Sequence, residues 1–284
     1  MEASEVTSRE SIFDREIKDI KSFNFWRAVI AEYIGTLILF QWSIGSSLHD
    51  PEDQSPPDPL IGAICTGFVV AVVINSLLNV SGGHVNPAVS IGFLVLGKIT
   101  FIRFIFYVCA QCLAGLSAVA ILSKLTPEGM IGLPALISPA PGVTNVQAFF
   151  IEFSIDFFLL FSIAALIDDK RPDDTSPTPF YVGLIVVGNI LFAARTSGGC
   201  MNPARNFGPA ILAGNLETQW VYWLGPLLGA ASGAFLYDKF LSAAAMSGSV
   251  FLNSCCKNKS DEQKTTRPAE SSNNEKECML TTEA

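Results

Sequence analysis

The chain has 284 residues, of which 50% are hydrophobic and only 15% are charged, and its formal net charge is −8. Soluble domains carry about 25% charged residues, whereas no Lys, Arg, Asp or Glu occurs here between Leu60 and Gly97. Because a bilayer-spanning helix needs about 20 mostly apolar residues, the composition predicts a membrane protein. It excludes a soluble enzyme, a disordered chain and a nucleic-acid binder.

Six apolar segments follow a polar N-terminal tail at residues 1–24. Two shorter apolar stretches come after the second and fifth segments, and a polar tail that we expect to be disordered occupies residues 242–284. The membrane domain is thus predicted over residues 25–241, in two units at about 25–125 and 146–241. In chain order the six segments are Phe25–Leu48, Leu60–Val80, Phe101–Leu122, Val146–Leu166, Tyr181–Ala194 and Trp220–Leu241, and the short stretches are Asn86–Leu96 and Asn202–Ala213.

The basic residues predict which side of the membrane each loop faces. With both termini in the cytoplasm, 15 of the 18 Lys and Arg residues fall on the cytoplasmic side, Lys170 and Arg171 among them, whereas the loop at residues 49–53 is acidic and lies outside. Since cytoplasmic loops carry an excess of Lys and Arg, we expect both termini in the cytoplasm. The plasma membrane is the expected location, with an intracellular membrane as the alternative.

An internal repeat relates the two units. The sequence SGGHVNPA at 81–88 recurs as SGGCMNPA at 197–204. Each unit has three spans, an odd number, so the second unit enters the membrane from the opposite side and the repeat is inverted. Asn86 and Asn202 are good helix N-caps, and Pro87 and Pro203 suit the first helical turn. Two positive half-helix ends should therefore meet at the membrane midplane, with amide donors facing a narrow polar line.

This pattern resembles the aquaporin (major intrinsic protein) family. The resemblance implies an all-α membrane fold with six transmembrane helices and two re-entrant half-helices, assembled as a homotetramer with one pore per subunit. It implies a passive water channel that excludes protons and ions, and neither an enzyme nor a cofactor or metal protein. The pore residues would be Asn86, Pro87, Ala88, Asn202, Pro203 and Ala204, and the buried Glu32 and Glu152 would support the pore loops.

The resemblance also assigns a second constriction, the selectivity filter, to Thr66, Ile190, Gly199 and Arg205. Strict water channels of the family place Phe and His where this chain has Thr66 and Ile190, so the ring should be wider. The Ile, Gly and Arg combination is similar to that of ammonia-permeable and tonoplast-type members, although those usually have His at the position of Thr66. Ammonia, hydrogen peroxide, urea and glycerol are therefore candidate solutes beside water.

Other markers favour water over glycerol. Glycerol-conducting members usually place Asp after the pore arginine and a basic residue after Phe-Gly-Pro, whereas this chain has Asn206 and Ala210. The pair Tyr222-Trp223 is also retained. A glycerol facilitator is the main alternative, followed by an ion-coupled secondary transporter and a junctional adhesion protein.

Three further residues each leave two interpretations open. Asp156 lies four residues after Glu152 in an apolar span, so it is either protonated or faces a wet crevice. His84 either responds to pH or packs within its loop. Cys200 either faces the lumen, where it would bind mercurials, or packs as a small apolar side chain.

Overall fold

The computed structural model describes residues 11–48, 58–127, 135–168 and 177–242. The predicted C-terminal tail lies outside the described residues from residue 243 onward. The described residues form nine α-helices and a terminal π-helical turn. In chain order these are α1 (Ile12–Ile20), α2 (Phe23–Gly45), α3 (Pro59–Leu77), α4 (Pro87–Val95), α5 (Phe101–Leu125), α6 (Asn145–Leu166), α7 (Thr178–Ala193), α8 (Pro203–Ala213) and α9 (Gln219–Leu236), with the turn at Tyr237–Leu241.

Side-chain caps define where the long helices begin. The hydroxyls of Ser22 and Thr100 accept a hydrogen bond from the first turns of α2 and α5. Asp58 caps α3, whose first residue is Pro59, and Thr144 forms a reciprocal capping box with Gln147 on α6. These bonds satisfy N–H groups that a helix leaves without an intrahelical partner.

Many large apolar side chains of the long helices are exposed, whereas several polar and charged side chains between the helices are buried. Phe68 and Val72 on α3 are 61% and 64% exposed, whereas Glu32 and Glu152 are 0% exposed. Four helices, namely α2, α3, α5 and α6, are long and apolar enough to cross a membrane. Helix α7 is a shorter apolar helix, and α9 contains Pro226. With the half-helices α4 and α8, the predicted arrangement of six membrane helices and two half-helices is confirmed.

Glycines set how closely helices approach one another, both between the two units and within the second. Helix α3 crosses α7 where Gly67 faces Gly183, and a Cβ on Gly183 would lie 2.5 Å from the Gly67 carbonyl oxygen. In the same way, the carbonyl of Phe153 on α6 lies against Gly229 on α9. Small residues at such crossings let helix backbones pack in direct contact, as is common in membranes.

Helix α1 lies within residues 1–24, which the composition predicts only as a polar tail. It begins at the Ser11 cap and packs on the start of α5. Its Glu16 carboxylate accepts hydrogen bonds from the backbone N–H groups of Phe101 and Ile102, at 3.0 and 2.8 Å. Asp19 forms an ion pair with Arg103. Helix α1 therefore supplies the carboxylate that satisfies the first N–H groups of α5.

Candidate functional site

A buried carboxylate on α2 holds the loop that leads into α4. Glu32 Oε1 accepts hydrogen bonds from Ser81 Oγ at 2.7 Å and from the His84 N–H at 2.9 Å. Its Oε2 accepts from the Val85 N–H at 2.6 Å and from Gln111 Nε2 at 2.9 Å. The carboxylate thereby satisfies the donors of an irregular backbone that crosses the membrane interior.

Glu152 on α6 does the same for the second unit, with one donor fewer. Its Oε1 accepts from Ser197 Oγ at 2.6 Å and from the Cys200 N–H at 3.0 Å, and its Oε2 accepts from the Met201 N–H at 2.9 Å. The position equivalent to Gln111 is Pro226, which has no side-chain donor. The two units therefore share the carboxylate clamp and differ in how completely it is satisfied.

These carboxylates hold strained backbone in place. Val85 and Met201 have φ angles of 45° and 52°, a left-handed conformation that is unusual for a non-glycine residue and unfavourable for a β-branched one. Both lie directly before an asparagine, and both N–H groups are bound by a clamp carboxylate. The strain fixes the direction in which each carbonyl and each asparagine points.

The two asparagines tie the loops of the two units together. Asn86 Nδ2 donates to the Met201 carbonyl at 2.8 Å, and Asn202 Nδ2 donates to the Val85 carbonyl at 2.9 Å. Each side-chain oxygen meanwhile accepts from the N–H two residues ahead and caps its half-helix. An amide NH₂ group carries two hydrogens, so one N–H of each asparagine is left for the lumen.

A cavity of about 920 Å³ passes both asparagines. The four predicted filter residues, Thr66, Ile190, Gly199 and Arg205, line it as well. A Cβ on Gly199 would lie 3.1 Å from Ile190 Cα, so these two backbones are in contact. Among the other predicted site residues, Ala88, Ala204, Glu32 and Glu152 are fully buried and, with Pro87 and Pro203, support the wall from behind.

Two residues of α8, Arg205 and Asn206, bind the backbone of residues 135–137 beside the cavity. Arg205 Nη1 donates to the Ala135 carbonyl at 2.8 Å. The next residue, Asn206, binds Ile137 twice: its Oδ1 accepts from the Ile137 N–H at 2.8 Å and its Nδ2 donates to the Ile137 carbonyl at 2.9 Å. Ile137, which lies between the two units in the chain, is part of the cavity wall.

His84 and Cys200 occupy equivalent places in the two loops, and both line the cavity. The His84 ring packs 4.2 Å from the Phe93 ring centroid, and its Nδ1 lies 3.2 Å from Ser90 Oγ. Cys200 Sγ lies 3.2 Å from the Asn202 carbonyl oxygen. The packed histidine favours the structural interpretation, and mercurial binding at Cys200 stays a prediction.

Asp156 is fully buried and does not line this cavity, so the interpretation that it faces a wet crevice is wrong. Neither of its carboxyl oxygens has a hydrogen-bond partner among the residues that the structure describes. Thr36, four residues after Glu32, is likewise buried with an unbonded hydroxyl. The two units therefore place an unsatisfied polar group at the same position relative to the clamp.

Comparison with known proteins supports one family. The sequence profile described as "Major intrinsic protein" matches residues 19–237. Aquaporin-4 of Rattus norvegicus is 36% identical over 233 residues, which are 81% of this chain and 72% of the relative. The lens fiber major intrinsic protein of Lithobates pipiens is 36% identical over 223 residues, which are 78% of this chain and 84% of the relative.

The fold is also that of a solved channel structure. The X-ray structure of the aquaglyceroporin from Plasmodium falciparum aligns with a TM-score of 0.70 at 23% identity. The alignment covers 78% of this chain and 98% of that one. At this identity the similarity establishes the architecture, and the solute has to be argued from the residues of the cavity.

Proposed function

The chain belongs to the major intrinsic protein (aquaporin) family, whose members are membrane channels rather than enzymes, and on that premise we propose that it conducts water passively while excluding protons and ions. The observation that carries this proposal is the pair of asparagines. Each keeps one amide N–H for the lumen where the positive ends of α4 and α8 meet. A water molecule there accepts from both asparagines, so it is oriented away from relaying a proton along the file.

Charge adds to this barrier. The half-helix N-termini present positive potential at the centre of the cavity, and Arg205 places a full positive charge on the wall further along. In the described part of the cavity wall, the one carboxylate is Asp58, the cap of α3. Cations therefore meet an unfavourable potential at the centre and at the filter, while a neutral molecule is unaffected.

We assign the filter to Thr66, Ile190, Gly199 and Arg205. Thr66 is much smaller than an aromatic side chain and Gly199 adds no side chain, so the ring should admit small neutral solutes beside water. In order of preference as candidate solutes, ammonia and hydrogen peroxide come first, then urea, and glycerol last. Asp156, the one residue that suggested an ion-coupled transporter, is buried and does not line the cavity, so it does not support that alternative.

Glycerol conduction is the second candidate, and the small Thr66 favours it. The contacts of Asn206 argue the other way. Asn206 both accepts from and donates to the backbone of Ile137, whereas the Asp expected in glycerol-conducting members can only accept. The two hydrogen bonds to Ile137 in this cavity wall therefore require an asparagine at position 206.

The test is uptake into proteoliposomes measured by stopped-flow light scattering, with water, urea and glycerol gradients applied to the wild type and to Thr66→Phe. We expect fast water flux in both and little glycerol entry in either. Glycerol entry that Thr66→Phe abolishes would assign the protein to the glycerol class. Water flux no faster than in empty vesicles would refute the channel assignment.

We further propose that the protein is a homotetramer in the plasma membrane with both termini in the cytoplasm. An apolar groove between α6 and α7, lined by Phe158, Phe161 and Leu184, faces outward and suits a second copy of the chain. Cross-linking in native membranes would show a four-subunit ladder, and a protease applied from the outside should leave both tails intact.

A further inference from the structure

Two hydroxyls meet on the α2 and α3 side of the cavity wall. Thr66 Oγ1 donates to Ser43 Oγ at 3.0 Å, and both residues line the same cavity. A hydroxyl offers one donor and two acceptor lone pairs. The bond between them uses one hydrogen, so the pair keeps one hydrogen and several lone pairs. Among described residues, Ser43 Oγ has Thr66 as its only hydrogen-bond partner.

The surrounding helix end fixes Ser43 without using its side chain. The Ser43 carbonyl accepts from Ser46 Oγ and from Ser47 Oγ, each at 3.1 Å. These bonds satisfy a carbonyl in the last turn of α2, which has no intrahelical partner. A Cβ on Gly62 would lie 2.9 Å from Ser47 Oγ, so α3 approaches this turn closely. The position of the Ser43 hydroxyl is thus set by packing.

The chemistry of the other filter residues shows what this hydroxyl adds. Ile190 is apolar, Gly199 has no side chain, and Arg205 has five N–H donors and no acceptor. Thr66 alone of the four offers a side-chain acceptor, and Ser43 supplies a second acceptor and a donor beside it. Water, ammonia and urea all donate hydrogen bonds, so each needs an acceptor when it leaves its hydration shell.

We propose that Ser43 is a fifth residue of the selectivity filter, and that the Ser43–Thr66 hydroxyl pair binds the N–H or O–H groups of the passing molecule. Arg205 would donate to a carbonyl or hydroxyl oxygen while the pair accepts from the donor groups of the same solute. This inference rests on the proposed function, because it requires that solutes pass through this cavity.

The test compares two side chains of nearly the same shape. Ser43→Thr keeps the hydroxyl and Ser43→Val replaces it with a methyl group, so both variants add the same bulk. In proteoliposomes with equal amounts of folded protein, we expect water permeability in Ser43→Val to be about two- to tenfold lower than in Ser43→Thr, the range for losing one hydrogen bond. Urea entry, where it is measurable, should fall by at least as much.

Two controls separate the inference from simpler effects. Ser76→Ala removes a hydroxyl on α3 that bonds the Val72 carbonyl and does not line the cavity, and it should leave permeability unchanged. In Ser43→Val with Thr66→Val, the combined loss should be smaller than the product of the two single losses, because the hydroxyls act as a pair.

Equal permeability in Ser43→Thr and Ser43→Val would overturn the role of Ser43 while leaving the channel intact. The wild type failing to conduct water would instead refute the proposed function itself. If Ser43→Val does not fold, Ser43→Ala compared with the wild type tests the loss of the hydroxyl without added bulk.

Discussion

Replacing Asp156 with valine is expected to stabilise the protein. The Asp156 side chain is 0% exposed, and neither carboxyl oxygen is hydrogen-bonded within the described residues. A buried polar group without a partner costs about 1–3 kcal/mol. Valine and aspartate have similar helix propensities, so the substitution in α6 changes little else. We therefore expect a gain of about 1–3 kcal/mol in the free energy of unfolding.

The first unit provides a matched variant. Thr36 lies at the equivalent position on α2, and its single hydroxyl oxygen is also buried and unbonded. Thr36→Val removes one unsatisfied oxygen where Asp156→Val removes two, so its gain should be smaller. For domains of about 200 residues, 1 kcal/mol shifts the melting temperature by about 2–4 °C, which puts both effects within reach of measurement.

The assay is thermal unfolding of the purified protein in detergent and in nanodiscs, followed by tryptophan fluorescence. We expect the melting temperature to rise in the order wild type, Thr36→Val, Asp156→Val. A lower melting temperature in Asp156→Val than in wild type, in both environments, would refute the reasoning. It would mean that the carboxyl group has a stabilising partner in the membrane.

Three further predictions concern the clamp, the N-terminal helix and the helix crossing. The Glu152 carboxylate accepts three hydrogen bonds, and Glu152→Gln leaves one loop N–H unsatisfied. We expect this variant to lower the free energy of unfolding by about 1–3 kcal/mol, measured by thermal unfolding, and to reduce water flux, measured by stopped flow. Burial alone would raise the pKa of Asp19, but hydrogen bonds, chiefly from Arg103, hold that pKa below its ordinary value of 3.8. The contribution of the ionised Asp19 to stability is therefore present above pH 3.8 and is lost as the pH falls through the lowered pKa. The difference in melting temperature between wild type and Asp19→Asn should shrink below pH 3.8. A difference that does not change with pH would contradict this. Gly183→Ala places a Cβ 2.5 Å from a carbonyl oxygen on α3 and should destabilise the protein by about 1–3 kcal/mol. A Cβ added at Gly188 would have no described atom within 4 Å outside its own stretch of helix, so Gly188→Ala should not destabilise it. Equal melting temperatures in the two variants would contradict the packing argument.

The half-helices could be predicted because the signals that start them are local. Asn86 and Pro87 are adjacent, and an N-cap followed by proline favours the start of a helix through contacts within a few residues. The recurrence of this signal at Asn202 indicates the repeat, and the odd number of spans in each unit indicates that it is inverted. The clamp residues Glu32 and Glu152 were assigned from resemblance to a family, since nothing local connects a carboxylate on one helix to an N–H about 50 residues away.

Other parts of the site depend on contacts between distant segments. Asn206 binds Ile137 across 69 residues, and Ser43 meets Thr66 across 23, and neither pairing leaves a pattern in the sequence. Helix α1 is different, because Ile12, Phe13, Ile17 and Ile20 have helical spacing that predicts an amphipathic helix. The polar composition of the surrounding tail hides this short pattern.

The measurement that tests the central claim most directly is osmotic water permeability of proteoliposomes at several temperatures, with proton flux followed in the same vesicles by a trapped pH dye. We predict water flux well above that of empty vesicles, with a low activation energy and no added proton flux. In Asn86→Asp and Asn202→Asp, which lose the amide donors, water flux should fall or proton flux should appear. Water flux equal to that of empty vesicles, or a saturable flux that depends on an ion gradient, would contradict the account.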